Sequence, residues 1–310
     1  MSSTTAYAKI NLGLRILRRR EDGYHDIETI FHRVDANDEI FLRPAPAISL
    51  SCNQPELHTD KKNLCLQAAR LLSEAYDVHE GVQIELKKNI PIGAGLGGGS
   101  SDAASTLLGL NQLWKLNLSI KDLEPLALRL GSDVPYFLHK GSAYGTGRGE
   151  KLEYFDLDLP YWIVIVYPNI HISTAWAYQH THISHPTPVD LSARRVDLRS
   201  LEDSSTVFMA EGGQTSHVSL KQILVENLNA AKRFISLVPN DFEPLILRTY
   251  PVVAKVKRSL YDFGAEFAQI SGSGSSVYGL FANEHHMQLA AERLRTSHHV
   301  FITPPHFRPV

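Results

Sequence analysis

The chain has 310 residues, a formal net charge of −2, 43% hydrophobic residues and 21% charged residues. That length supports two domains with substantial cores, and the composition is that of an ordinary globular protein. A charge so near zero gives no electrostatic footprint for nucleic acid or an anionic membrane. Cys52 and Cys65 are the two cysteines and lack C-x-x-C spacing, which argues against a disulfide framework or a structural zinc site. No apolar run approaches the roughly 20 residues of a membrane helix, and MSSTTAYAKINLGL lacks the apolar stretch of a secretion signal. A cytoplasmic protein is expected. The basic run Arg18, Arg19, Arg20 is followed at once by Glu21 and Asp22 and reads as a solvated loop.

TAYAKINLGLRIL, residues 5 to 17, reads as a strand carrying Lys9 and Asn11. A turn at Asp22-Gly23 precedes strand character from Ile27 to Val34, and DEIFLRP and ISLSC read as further strands. Residues 64 to 76 have helical spacing with Asn63 as the N-cap. VQIELKKNIP is a strand stopped by Pro91, and after a glycine loop DAASTLLGLNQLWKL is an amphipathic helix rich in small residues. SIKDLEPLALRLG is a second helix ended by Gly131. SDVPYFL follows, with Asp133 just ahead of an apolar strand, and YGTGRGE offers a turn at Gly145, Gly147 and Gly149. YWIVIVYP, residues 161 to 168, has the continuous apolar character of a central strand. Residues 180 to 218 are polar and aperiodic and read as a loop-rich insertion. LVENLNAAKRFI and AKVKRSLYDFGA are helical, FAQISGSGSSVYGLF is strand, glycine turn and strand, HHMQLAAERLRT is the last helix and VFITPP a closing strand. A domain boundary is expected at 150 to 160, dividing the chain into 1–155 and 156–310.

The stretch PIGAGLGGGSSDAAS, residues 91 to 105, carries the chemistry. Glycine lets a backbone approach a ligand closely, and a helix start presents unpaired N–H groups and a positive dipole end. Strand, glycine run and helix in that order make a phosphate cradle. Gly93, Gly95 and Gly98 spell G-x-G-x-x-G, but a dinucleotide site needs a second strand and an acidic residue about 20 positions on, and here a second helix follows. The other common phosphate loop needs a lysine after its last glycine, where this chain has Ser100. Ser100 and Ser101 sit where a hydroxyl reaches a phosphate oxygen or a metal ion, and Asp102 complements the helix start.

P-x-G-A-G-L-G-G-G-S-S-D-A-A resembles the nucleotide loop of the GHMP kinases. AKINLGLRILRRREDGYHDIETIF is similar to the first motif of one branch of that family, and ISGSGSSVYGLF to its third glycine-rich motif; GSDVPYF and YPNIHISTAWAY agree as well. The resemblance implies a two-domain α+β fold, with an N-terminal nucleotide-binding domain and a ferredoxin-like C-terminal one. It implies ATP as co-substrate, Mg²⁺ carried with the nucleotide and no metal site of the protein's own. The activity implied for this branch is phosphorylation of the 2-hydroxyl of 4-diphosphocytidyl-2-C-methyl-D-erythritol, a step of isoprenoid precursor synthesis.

On the matching positions, Asp133 is implied as catalytic base and Lys9 as its cationic neighbour. Pro91, Gly93, Ala94, Gly95, Leu96, Gly97, Gly98, Gly99, Ser100 and Ser101 are implied to hold ATP, with Asn63 and Lys88 beside the adenine. Asn11, Tyr24, His25, Thr174, Tyr178, Gly272 and Ser273 are implied on the substrate side. Tyr24 would stack on the base, with Tyr178 or Trp176 on its other face. A small-molecule substrate and a monomer or homodimer are expected, with no nucleic-acid or membrane partner. The histidines at 180, 182 and 185, at 285 and 286, and at 298 and 299 lack i, i+4 spacing with a carboxylate and read as exposed polar residues.

Overall fold

The computed structural model describes residues 2–55, 57, 62–181, 220 and 239–309. Its elements in chain order are β1 (Ser2–Arg19), β2 (His25–Ala45), β3 (Ser49–Cys52), α1 (Leu64–Ala75), β4 (Gly81–Lys87), α2 (Gly98–Leu113), α3 (Ile120–Leu130), a 3-10 turn (Pro135–Leu138), β5 (Ser142–Thr146) and β6 (Lys151–Phe155). β7 (Trp162–Tyr167), α4 (Thr174–His180), α5 (Glu243–Thr249), α6 (Pro251–Asp262), β8 (Phe267–Ile270), β9 (Val277–Phe281), α7 (Glu284–Arg295) and β10 (His299–Thr303) follow. The helix expected over LVENLNAAKRFI and nearly all of the expected 180–218 insertion lie outside the described residues.

The first lobe is a six-stranded sheet in the order β3-β4-β2-β5-β6, with β1 paired antiparallel to β2. The second is a four-stranded sheet in the order β10-β7-β9-β8. The chain is thus α+β with two lobes.

Several elements differ from expectation. The two strands expected over residues 27–34 and DEIFLRP are one 21-residue strand: β1 pairs with it from His25 to Arg33 and again from Asn37 to Leu42, with a bulge at residues 34–36 between the two stretches. β4 ends at Lys87 rather than at Pro91, since Asn89 and Ile90 turn their N–H groups to the Asp38 carboxylate at 2.6 and 2.8 Å. α2 begins at Gly98, inside the glycine run, so Asp102 stands in its second turn and caps nothing. The residues after Asp133 form a 3-10 turn, not a strand, with Pro135 supplying a preset φ. Gly131 does close α3, but in an extended conformation. The hairpin β5–β6 and the short α5 were not foreseen.

α1 starts where expected because the Asn63 side chain accepts the Cys65 N–H, and α3 carries a Ser119–Asp122 capping box. α2 packs hard against the sheet: a Cβ on Gly109 would stand 2.6 Å from Leu42 Cδ1. Leu107 and Leu110 on that helix are fully buried, each contributing about 2 kcal/mol by its burial.

The lobes share a core. Ala8, Ile10, Ile30 and Val34 of the first pack in one cluster with Ile163, Ile165, Tyr278 and Leu280 of the second. β1 also reaches the second lobe through its backbone: Leu14 N–H donates to Pro239 O at 2.8 Å, and its carbonyl accepts from Asp241 N at 2.9 Å. Among the described residues no helix is long and apolar enough to cross a membrane.

Candidate active site

A cavity of about 1140 Å³ runs between the glycine loop, β1, the segment 132–133, the β5–β6 hairpin and α4. It exceeds the roughly 300–1,000 Å³ of a single-ligand pocket and has room for two nucleotide-sized molecules side by side. Pro91, Gly93 through Ser100, Asn63, Lys88, Lys9, Asn11, Tyr24, His25, Asp133, Thr174, Tyr178, Gly272 and Ser273 all line it.

The glycine loop lies against the second lobe's glycine turn. Gly93, Gly95 and Gly97 have φ of 66°, 79° and 70°, a region that only glycine adopts readily. The Gly95 carbonyl accepts from Ser271 Oγ at 2.9 Å, Ser276 N donates to Ala94 O at 3.2 Å, and Lys9 N donates to Leu96 O at 3.0 Å. Gly97 caps α2 without any side-chain bond, which leaves the first N–H groups of the helix for an anion.

One expected member drops out. Ser101 does not line the cavity; it is buried and its hydroxyl donates to Tyr7 O at 2.8 Å. One residue along the helix turns the side chain about 100°, so only the Ser100 hydroxyl faces the space.

Lys9 and Asn11 sit two apart on β1 and so share a face. Lys9 Nζ donates to Asn11 Oδ1 at 2.5 Å and lies 3.8 Å from Asp133 Oδ2, 3.5 Å from Gly95 O and 5.2 Å from the Phe31 ring centroid. Asn11 is itself oriented by Thr29 Oγ1 at 2.8 Å, which hands its own proton to Gly13 O. Burial pulls the Lys9 ammonium below its ordinary value, and the Asp133 carboxylate opposes that pull. A carboxylate beside a buried ammonium, at the rim of an anion cradle, can take a proton from a hydroxyl while the charge that develops on the oxygen is stabilised.

Lys88 is engaged otherwise. Its ammonium bridges Asp38 at 2.5 Å and Asp102 at 2.9 Å. Burial opposes its charge, but the two carboxylates outweigh that and hold it above its usual value. Asp38 also accepts the Asn89 and Ile90 N–H groups, whereas Asp102 Oδ1 has no hydrogen-bond partner among the described residues. One cation between two buried carboxylates leaves a net negative charge, and it weighs on the less-bonded Asp102. Burial is the larger cause, Lys88 opposes it and Asp38 adds to it, so that the Asp102 carboxyl is raised to about 7. Folding therefore favours the protonated acid, and this contribution is complete below about 4 and lost as pH rises through about 7. We expect the stability of the wild type relative to Asp102→Asn to fall as pH goes from about 4 to about 7. Urea denaturation of both proteins at the two ends measures it, and a constant difference removes the assignment.

At the other end, Tyr24 is 55% exposed, and the Arg148 guanidinium lies 4.6 Å from its ring centroid. His25 and Tyr178 stack on each other at 4.8 Å and 14°, rather than standing apart as separate platforms. Burial and the nearby Asp133 push the Tyr178 hydroxyl up. Trp176 turns away and packs on His180 and Tyr250. Thr174 Oγ1 is 3.1 Å from Ser273 Oγ. Arg148, Arg19 and Gln179 line the cavity without having been foreseen. For Arg148 a signal existed: it lies between Gly147 and Gly149, whose φ of 68° and 102° make the hairpin tip, and a residue so flanked projects from a tight turn.

Among the described residues, no group of three or more His, Cys, Asp or Glu could hold a metal ion. His180 Nδ1–H donates to Trp176 O at 2.9 Å and the ring packs on Trp176, and His182 and His185 lie outside the described residues.

The family description "GHMP kinases N terminal domain" matches residues 63–141, and "GHMP kinases C terminal" matches 219–299. The chain is 44% identical to the 4-diphosphocytidyl-2-C-methyl-D-erythritol kinase of Chlorobium luteolum, over 98% of this chain and 97% of that one. It is 42% identical to the same-named protein of Prosthecochloris aestuarii over 98% of each. A crystal structure of 4-(cytidine 5'-diphospho)-2C-methyl-D-erythritol kinase, 31% identical, superposes with a TM-score of 0.73 over 97% of this chain and 98% of that one. Homoserine kinase from Cytophaga hutchinsonii, at 20% identity and a TM-score of 0.68 over 98% and 95% of the two chains, shares the fold.

Proposed function

The chain belongs to the GHMP kinase family and is a small-molecule kinase with ATP as co-substrate; from that premise we propose how its cavity is used. The acceptor is 4-diphosphocytidyl-2-C-methyl-D-erythritol, phosphorylated at its 2-hydroxyl as a step of isoprenoid precursor synthesis. What carries the reading is a contact order: glycine loop to Lys9, Lys9 to Asp133 at 3.8 Å, and Asp133 to the hairpin whose Arg148 covers Tyr24. The phosphate cradle thus lies on one side of the carboxylate and the aromatic end on the other.

In this arrangement the glycine loop and the start of α2 hold the triphosphate through backbone N–H groups. Asp133 accepts the proton of the 2-hydroxyl as that oxygen meets the γ-phosphorus. Lys9 stabilises the charge passing between them. Tyr24 carries the cytosine on its ring face, His25 reads the edge of the base, and Tyr178 holds His25 by stacking. Thr174, Asn11, Gly272 and Ser273 flank the linker between base and hydroxyl, and Asn63 and Lys88 stand behind the adenine. Binding energy from the remote cytidine positions the reacting alcohol. A Mg²⁺ ion arriving with the nucleotide fits the donors present. Ser100 is the α2 side-chain oxygen on the cavity wall, and Asp102 Oδ1 is buried, so phosphate and water would have to supply most of the ligands. Such an ion supplies neutralisation of charge on the phosphates.

ATP turnover that depends on added cytidine substrate tests the reading, and turnover indifferent to it would sink it. Stacking on one base is worth about 1–3 kcal/mol, so Tyr24→Ala should raise KM for the cytidine substrate about tenfold with kcat nearly unchanged, and Tyr178→Ala, which frees the His25 ring stacked on it, should raise KM as well. Steady-state kinetics with that substrate varied checks this; an unchanged KM in both variants removes the aromatic platform.

A further inference from the structure

Arg33 is buried in the middle of β2, 9% exposed and directly across the ladder from Lys9. No carboxylate pairs with it among the described residues. Burying a guanidinium without a counter-charge is expensive unless its N–H groups find acceptors. The acceptors here are backbone carbonyls: Nη2 donates to Phe137 O and to His139 O, both at 2.8 Å. The same group lies over two rings of the segment, 5.3 Å from the centroid of Tyr136 and 4.9 Å from that of Phe137. Those carbonyls belong to the 3-10 turn that begins two residues after Asp133, and to the residue that follows it. Carbonyls at the end of so short a helix have no helical partner. Tyr154 holds the other end of the turn, its hydroxyl donating to Pro135 O at 3.2 Å. Phe137 also abuts the glycine loop, for a Cβ on Gly97 would meet its Cζ at 2.9 Å.

We propose that Arg33 is a positioning residue for catalysis: by clamping the turn 135–139 to the strand opposite Lys9, it sets the separation between the Asp133 carboxylate and the Lys9 ammonium. The two members of the pair come from segments remote in sequence. Lys9 is fixed on β1, and β1 is fixed to β2 at the Lys9–Arg33 register. Arg33, a donor on β2 that grips the turn following Asp133, ties the two ends together. It does so through one guanidinium nitrogen whose two N–H groups reach both carbonyls. The inference rests on Asp133 being the base.

Arg33 forms part of the wall of a second cavity, of about 400 Å³, between the β5–β6 edge and the C-terminal tail, so the space left by truncation is open to a small cation. The experiment compares Arg33→Ala, Arg33→Lys and Asp133→Asn. A displacement of about 1 Å at the reacting groups costs on the order of a hundredfold in rate, so kcat of Arg33→Ala should fall about tenfold to a hundredfold, with ATP affinity from calorimetry within about threefold. Arg33→Lys should lie between that variant and the wild type. Guanidinium ion added at tens of millimolar should restore part of the kcat of Arg33→Ala and nothing in the wild type. A folded Arg33→Ala with wild-type kcat overturns the proposal. So does a loss that guanidinium leaves untouched and that ATP binding shares, the pattern of a merely structural residue. If Arg33→Ala does not fold, Arg33→Lys decides by its own split between kcat and ATP affinity. Turnover retained in Asp133→Asn would instead remove the base, whereas an inert Asp133→Asn beside an unimpaired Arg33→Lys removes only the clamp.

Discussion

Replacing Asp133 by asparagine should lower turnover by at least about a hundredfold while ATP binding stays nearly intact. Asparagine keeps the shape of the carboxylate but cannot accept the hydroxyl proton. The substitution has a second consequence. Lys9 is buried, its ammonium is pulled below its ordinary value by that burial, and the charge opposing the pull is Asp133. Without it, Lys9 gives up its proton at lower pH, and the cation that stabilises the transferring group weakens too. The variant should therefore lose rate more steeply as pH rises than the wild type does. The glycine loop is held to β1 and to the second glycine turn by bonds that do not involve Asp133, so nucleotide affinity survives. Single-turnover kinetics across pH, with calorimetry for ATP, measure both parts. Near-normal turnover would dismiss Asp133 as the base.

The second large effect is expected at Gly95. An alanine Cβ there would stand 2.4 Å from Ser271 O and 2.8 Å from Gly274 O, both backbone atoms, at a φ of +79°. Neither neighbour can rotate away, and the left-handed backbone is itself strained for alanine. The loop must retreat from the second lobe and give up the Ser271 hydroxyl bond to the Gly95 carbonyl. Strain and overpacking each cost about 1–3 kcal/mol, so Gly95→Ala should lose about 3 kcal/mol of stability and most of its ATP affinity. Gly99 is the control. A Cβ there meets only Leu64 Cδ1, at 3.6 Å, so the stability of Gly99→Ala should stay within about 1 kcal/mol of the wild type. Equal melting temperatures for Gly95→Ala and the wild type would contradict the close approach of the two lobes.

These residues show what a sequence discloses and what it withholds. The glycine loop was legible because its chemistry is local: strand, glycines and helix start lie in one 15-residue stretch. Lys9 and Asn11 were legible as a pair because a strand places alternate residues on one face, and the Asn63 cap because capping is a contact over two residues. Arg33 and the Asp38–Lys88–Asp102 triad were not legible, since they depend on segments that only the fold brings together. Ser101 was placed in the cavity because its position was counted from the wrong helix start. The single long β2 was hidden because its polar stretch from Asp35 to Asp38 interrupts the apolar run, and β1 spans that interruption with a bulge, resuming its pairing at Asn37. The stacked His25 and Tyr178 rings come from strand and helix segments far apart in the chain, and no spacing rule could have set them face to face.

β1 carries one further implication. Its Lys9 N–H holds the glycine loop at Leu96 O, and its Leu14 N–H holds the second lobe at Pro239 O. Five steps along the strand, about 17 Å at the usual rise, therefore separate the phosphate cradle from the anchor of the opposite lobe. Peptide count, not a hinge angle, spaces those two attachments. Substitutions along this stretch leave that length alone, but inserting or deleting one residue would shift an attachment by about 3.3 Å and turn every following side chain to the other face. Ile10, between Lys9 and Asn11, and Leu12, between Asn11 and Gly13 with its φ of +83°, should accept conservative apolar changes far more readily than any change of length.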